Sequence, residues 1–321
     1  MWMLIVSLKG EYIMEKKILV AVDGSVFSSN SLDYLIRLFP ANHDISIHLL
    51  SIVSAGSSDQ NWMLDVDPLR RDTPAVELRK AKASRYLKDA RERLLRNGFS
   101  ENRIQLSVES SSGSIAVSIH HQANQGMFDA LLIGRRGVGK IGEMFMGSVS
   151  TDLLNTCHEV PLWMIDGEVH SARFLLAVHA SPESLMAADH LGFFMKNNPK
   201  TEVYLYHSSA VFGSAKKPPI EQFHKQWGVD WCEKYLDLEN NLYKAHAQVL
   251  TDHGIAEKQI SHEPPHTTLE ASNDLLKQAK QHRCGTIVLG RRGREIEKGI
   301  LGGVSDRTVQ NAQNLAIWVV G

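Results

Sequence analysis

The sequence predicts an α/β protein of two tandem doubly wound (Rossmann-like) domains, each with a five-stranded parallel sheet flanked by helices. Three observations predict this fold class. The chain has 321 residues, about twice the common domain length. It contains an internal repeat, and each copy alternates short Val/Ile/Leu-rich runs with helical patterns. Such near-continuous apolar runs are typical of parallel strands that are covered on both faces.

The elements of the first copy can be placed in order. It opens with an apolar strand at 18–22, an Asp-Gly-Ser turn, a helix over 28–39 and a strand at 45–53. A polar loop then leads to Pro74, which favours the first turn of a long helix that an Asn-Gly pair would end. The remaining pattern predicts strands at 104–108, 130–133 and 162–165 and helices over 114–125 and 148–157.

The repeat sets the domain organisation. Asp23 and Gly134 lie 111 residues apart, as do their counterparts His179 and Gly290. We therefore predict one domain at 14–167 and a second at 172–321.

The termini of the copies carry two further expectations. Residues 1–13 are either an extension ahead of a start at Met14 or an extra edge strand. The fifth strands, 162–165 and 315–320, are apolar and would leave exposed sheet edges. We expect them to pair the two domains within one chain, with a homodimer as a further option.

Composition excludes several functional classes. Lys and Arg total 35 against 36 Asp and Glu, so there is no basic field to hold nucleic acid or an anionic membrane. No apolar run reaches the ~18–20 residues of a membrane helix. Three well-separated cysteines favour a reducing compartment and argue against disulfides or a thiolate zinc site. We expect a cytoplasmic protein with no nucleic-acid or membrane partner, and we interpret its histidines as surface residues rather than metal ligands.

A glycine-rich loop follows the fourth strand of the first copy. Its start matches G-x-x-x-x-G-K, but Ile141 stands where a P-loop needs Ser or Thr for magnesium. The spacing Gly134-x2-Gly137-x9-Gly147-Ser148, together with Asp23, resembles the ATP-binding branch of the universal stress protein family. The resemblance spans residues 15–321 and implies a tandem universal stress protein that binds ATP, with or without Mg2+.

The residue types in this motif suit a nucleotide. Glycines allow the backbone to approach phosphates and to take positive φ. Gly147-Ser148 opens a helix whose free N–H groups and dipole attract anions, although the pair could be only a helix cap. Asp23 could accept a nucleoside hydrogen bond, although an Asx turn is the commoner role of Asp-Gly-Ser. The nucleotide-binding residues implied by the resemblance are Val22, Asp23, Ile52, Ile133, Gly134, Arg136, Gly137, Gly147, Ser148, Val149 and Ser150.

The second copy departs from this motif. His179 replaces Asp23, Gly303 replaces Ser148, and two glutamates add negative charge to a loop that is one residue shorter. The nine-residue spacing is kept only if it ends on Gly303-Val304. We therefore expect a degenerate site and one nucleotide per chain.

The expected function is a cytoplasmic stress-response protein that binds an adenine nucleotide in its N-terminal domain. Its C-terminal domain would be structural or regulatory. The alternative is a scaffold protein of the same fold that binds no nucleotide. An ATP-using enzyme is disfavoured because neither His-x-Gly-His nor Ser-Gly-Gly-x-Asp-Ser occurs. At most we expect slow ATP hydrolysis, with no assignable catalytic residues and no metal ligands.

Overall fold

The computed structural model is an α/β protein, which confirms the predicted fold class. It divides into two compact units, Met1–Val160 and Pro161–Gly321. The structure describes residues 4–6, 12–40, 44–55, 74–135, 146–210, 218–264, 266–291 and 303–321.

The first unit alternates strands and helices. Before its sheet, β1 (Leu4–Val6) and β2 (Tyr12–Met14) pair as a separate antiparallel ribbon, not as an extra edge strand. The elements that follow are β3 (Lys16–Ala21), α1 (Val26–Leu38), β4 (Ile45–Ser54), α2 (Pro74–Arg96), β5 (Ile104–Ser111), α3 (Ile115–Gln125), β6 (Ala130–Gly134) and α4 (Ser148–Thr156).

The four main strands of this unit are parallel, in the order β6-β3-β4-β5. Their centre is apolar on both faces: Ile18, Leu19 and Val20 have no exposed surface. The chain moves from β3 to β4 on one side, whereas β6 lies on the other side of β3. The strand order therefore reverses between β3 and β6, and ligands of doubly wound sheets bind at the carboxyl ends of such strands.

The second unit repeats this alternation with additions. Its elements are β7 (Leu162–Ile165), β8 (Arg173–Ala177), α5 (Pro182–Met195), β9 (Glu202–Tyr206), β10 (Ser208–Ala210), α6 (Ile220–Trp227), α7 (Val229–Tyr235), α8 (Leu242–Asp252), β11 (Ile260–His262), β12 (His266–Thr268), α9 (Ala271–Gln281), β13 (Thr286–Gly290), α10 (Val304–Asn311) and β14 (Ala316–Val320). The sheet order is β11-β9-β8-β13-β14-β7, and β10 pairs with β12 separately.

β7 runs antiparallel to its neighbour β14, whereas the other described strand pairs of this unit's sheet are parallel. Trp163 of β7 stacks on Trp318 of β14 with ring centroids 3.8 Å apart, and both are fully buried. The Trp163 indole N–H donates to His190 Nε2 at 2.9 Å. This packing explains why β7, which ends the first sequence copy, is grouped with the second unit. Pairing of the two domains as bodies stays a prediction.

Candidate functional site

The predicted nucleoside residues lie where β3 ends beside the longer β4. Ala21 pairs with Leu50, and the Val22 N–H donates to the Leu50 carbonyl at 2.8 Å. Peptide groups of alternate residues point to the same side of a strand, so those of Ile52 also face the β3 side. Within the described chain, no strand residue pairs with Ile52 there. A heteroaromatic ring could therefore bond to this peptide edge.

Asp23 follows Val22 directly in the chain, and its side chain is exposed. Its Oδ1 accepts a hydrogen bond from the Ser25 N–H at 2.9 Å, so the side chain does form an Asx turn. Ser25 in turn caps α1, its hydroxyl oxygen accepting from the Ser28 N–H at 3.2 Å. A carboxylate can accept several hydrogen bonds, so the turn leaves Asp23 with capacity for a ligand.

Ile133 and Gly134 form the end of β6, the neighbour of β3 on the other side. Ile133 is 3 % exposed and belongs to the core. A Cβ at Gly134 would lie 3.0 Å from both the carbonyl carbon and Cβ of Phe27 in α1. The glycine is therefore explained by close packing of α1 against β6, in addition to any role beside a ribose.

The start of α4 is tied to the end of β6. The Gly147 N–H donates to the Arg135 carbonyl at 3.1 Å, and the Ser150 hydroxyl donates to the Gly134 carbonyl at 3.0 Å. Ser148 is exposed and Val149 is half-buried. The first turn has no acidic residue, and no side chain caps it within the described part of the chain. Its N–H groups thus remain available to an anion.

Two details of the loop differ from the sequence-based expectation. Gly147 has φ −64°, so positive φ is not the reason for glycine at the start of α4. Arg135, which sequence reasoning left without a role, is 2 % exposed, and its counterpart Arg291 is 6 % exposed. Arg136 and Gly137 lie outside the described residues.

A cleft of about 370 Å³ opens nearby, between α1 and α2. Of the predicted nucleotide-binding residues, Val22 alone is among those that line the described cleft. The rest of the cleft is therefore separate from the predicted nucleotide site. The lining residues are Val22, Gly24, Ser25, Ser28, Ser29, Leu32, Tyr86, Asp89, Ala90, Arg93 and Arg96.

The corresponding edge of the second unit carries histidines. The ring centroids of His179, after β8, and His207, after β9, lie 6.3 Å apart. His207 Nδ1 lies 2.7 Å from the Val178 carbonyl, which can only accept, so this nitrogen carries the proton. The sequence placed no ligand role on His207, because its position after β9 has no motif around it.

A serine and a histidine also meet beneath this edge. Ser184 Oγ lies 2.8 Å from His246 Nε2, and His246 Nδ1 donates to the Leu242 carbonyl at 2.8 Å. Burial lowers the pKa of His246 to about 4, so the ring is neutral at pH 7. Both side chains are 2 % exposed. This pair is therefore closed to a substrate and ties α5 to α8.

Within the ranges that the structure describes, no group of three or more His, Cys, Asp or Glu side chains is placed to hold a metal ion. None of the described helices combines the length and apolar character needed to cross a bilayer.

Comparison with known proteins identifies the first copy. Residues 14–165 match the model of the universal stress protein family. No match to a curated protein was found.

Two solved structures resemble the chain in fold over 95 % of its length, and a third covers less than half of it. A universal stress protein from Archaeoglobus fulgidus is 17 % identical, covers 95 % of this chain and 97 % of its own, and has a TM-score of 0.64. A functionally unknown protein from Pseudomonas aeruginosa is 13 % identical over 95 % and 92 % of the two chains, with a TM-score of 0.53. A universal stress protein in complex with cAMP is 15 % identical over 47 % and 96 %, with a TM-score of 0.32. By the match to the family model, residues 14–165 of this chain form one domain of the universal stress protein family.

Proposed function

We propose that the first unit binds an adenine nucleotide, ATP, at the carboxyl ends of β3, β4 and β6. The observation that carries the proposal is the start of α4, which is fastened to the end of β6 and, among the described residues, has no acidic residue in its first turn and no side-chain cap. Helix starts of this kind attract phosphate through their free N–H groups and dipole.

The spacing of the strands supports the same ligand. The free peptide edge of Ile52 lies on β4 and the start of α4 adjoins β6, so the two features are two strand spacings apart. That separation is about 10 Å. A molecule with a base at one end and phosphates at the other matches it, with Asp23 between the two ends.

We also infer that the second unit is a second copy of the same family. Its strand–helix alternation and the Gly-Arg-Arg-Gly echo at 290–293 support this inference. The whole is then a tandem universal stress protein of the cytoplasm, with one nucleotide site and one degenerate site.

One observation favours the scaffold alternative. Asp23 forms an Asx turn and the Ser150 hydroxyl bonds to a backbone carbonyl, so two predicted ligand groups have structural partners. In a scaffold these contacts would be their complete role.

Calorimetric titration of the full chain with ATP and Mg2+ separates the two functions. We expect a stoichiometry near one. Gly147→Val should weaken ATP binding at least about a hundredfold, because a branched side chain would lie where phosphate approaches. It should weaken adenosine binding far less. Gly303→Val is the matched control, because it places the same side chain at the start of α10.

The scaffold function predicts a different result. In that case the wild type would give no heat with ATP, and Gly147→Val would change only the melting temperature. A stoichiometry near two would contradict the single-site assignment.

A further inference from the structure

The helix starts of α4 and α10 are structurally equivalent. Each follows a glycine N-cap with extended backbone, Gly147 at φ −64° and Gly303 at φ −79°. In each, the fourth helical N–H bonds to the cap carbonyl, at 2.9 Å for Thr151 and 3.1 Å for Arg307. The third helical position is therefore Ser150 in α4 and Asp306 in α10.

The chemistry at this third position differs between the two units. The Ser150 hydroxyl donates to the Gly134 carbonyl at 3.0 Å, whereas Asp306 Oδ2 accepts from the Gly303 N–H at 3.2 Å. Both side chains are buried, at 4 % and 8 % exposure. The arginines that follow the preceding strands, Arg135 and Arg291, are the same and are both buried. At these positions the second unit thus carries one more negative charge than the first.

Arg307, the next residue in α10, is engaged elsewhere. Its Nη1 lies 3.4 Å from Glu270 Oε1, at the start of α9. The Ser272 hydroxyl and the Asn273 amide also bond to Glu270. The guanidinium of Arg307 is therefore directed toward Glu270 rather than toward a ligand at the helix start.

We propose that Asp306 excludes polyphosphate from the second unit and so limits the chain to one nucleotide; this rests on the proposed function of the first unit. The carboxylate occupies the end of the helix that would otherwise attract phosphate, and it is held there by the Gly303 N–H. The Asp306 side chain is 8 % exposed, so little water screens its charge and it repels a phosphate a few ångströms away. Serine at the same position adds no charge, which leaves the start of α4 attractive to an anion.

The test uses the full chain and two variants of Asp306. Asp306→Ser gives α10 the third residue of α4. Asp306→Asn removes the charge and keeps an oxygen that can accept from Gly303. Each variant is titrated with inorganic tripolyphosphate and with ATP. We expect a second bound equivalent of tripolyphosphate in both variants, with affinity at that site raised by at least about tenfold.

Glu257→Gln is the matched control. Glu257 is exposed and lies just before β11, at the amino ends of the strands. The substitution therefore removes one negative charge from the same unit at a site far from α10. It should keep the wild-type stoichiometry. Melting temperatures establish folding, and if Asp306→Ser does not fold, Asp306→Asn decides the result because it preserves the cap.

The outcomes separate this inference from the proposed function. One equivalent in the wild type and two in the Asp306 variants supports both. One equivalent in every protein overturns the role of Asp306 and leaves the first-unit site intact. No binding in the wild type, with one equivalent in the Asp306 variants, supports exclusion by Asp306 and overturns the first-unit site. Two equivalents in the wild type overturn the exclusion.

Discussion

The carboxyl strand ends of the two units share a framework and differ in chemistry. Gly134 ends β6 and Gly290 ends β13, and each lies against the first helix of its unit. Beside this shared framework the first unit presents Asp23 and a helix start that no described side chain caps, whereas the second presents His179 and the buried carboxylate of Asp306. Close packing explains both glycines, whereas the residues proposed to meet a ligand differ between the two units. The comparison teaches that one strand–helix framework can carry different chemistry at its strand ends.

The largest difference that we expect between the units is in their response to acid. Burial lowers the pKa of His190 to about 3 and that of His246 to about 4. Both lie in the second unit. In the first unit, burial also lowers the pKa of His48, but this side chain is only half-buried. An unfolded histidine titrates near pH 6.5, so below that pH the unfolded chain binds protons that the folded second unit does not. Stability from these groups is present above pH 6.5 and is lost as pH falls.

The loss should approach about 1.4 kcal/mol per pH unit for each buried histidine, or on the order of 3 kcal/mol for His246 by pH 4. Hydrogen exchange between pH 7 and 5 would measure it for each unit separately. His190→Gln keeps an acceptor for the Trp163 indole and removes the titration, so its second unit should lose less stability on acidification. Equal pH slopes in wild type and variant would contradict this assignment.

The second expected difference concerns the glycines at the ends of β13 and β6. A Cβ at Gly290 would lie 2.3 Å from the Glu183 carbonyl oxygen, whereas one at Gly134 would lie 3.0 Å from its nearest atom. Gly290→Ala should therefore lower the free energy of unfolding by about 2–3 kcal/mol, since it forces backbone to move. Gly134→Ala should cost about 1 kcal/mol or less. Denaturant unfolding of both variants measures the two values, and the reverse order would show that α5 yields more readily than α1.

The elements that could be predicted from the sequence depend on local signals. The apolar run predicted at 45–53 is β4, Ile45–Ser54, and the helix that Pro74 was expected to open ends at Arg96, beside the Asn-Gly pair. Strand periodicity, proline at a first turn and glycine after a last turn act within a few residues. Such features are readable without a tertiary structure.

The rest depends on contacts between distant residues. The grouping of β7 with the second unit requires its pairing with β14, which no local pattern contains. The replacement of Ser148 by Gly303 predicts that the second helix begins at Gly303, one residue before its observed start at Val304. The structure places its cap at Gly303, in agreement with the nine-residue spacing. Only this register aligns Asp306 with Ser150, which is why sequence comparison alone did not single out Asp306.

The smallest expected difference separates Asp23, the second residue after β3, from its counterpart His179, the second residue after β8. Asp23→Ala should weaken the binding of adenosine and of ATP by similar factors, roughly five- to fiftyfold. The reason is that it deletes one nucleoside hydrogen bond and leaves the start of α4 unchanged. His179→Ala should leave the affinity for both ligands at the wild-type value. Calorimetry with each ligand measures the factors.

The turn formed by Asp23 must be separated from its proposed contact to a ligand, because Oδ1 already accepts a hydrogen bond from the Ser25 N–H. Asp23→Asn keeps an oxygen at that position, so it should preserve the turn and the melting temperature. If it also keeps an acceptor for a ribose hydroxyl, its loss of affinity should be smaller than that of Asp23→Ala. The same oxygen could also accept a hydrogen bond from an adenine amino group. If the wild type and Asp23→Ala bind both ligands with equal affinity and the alanine variant melts at a lower temperature, the role of Asp23 is limited to its turn. The two strand ends would then differ in sequence without differing in function, and the scaffold alternative would account better for the first unit.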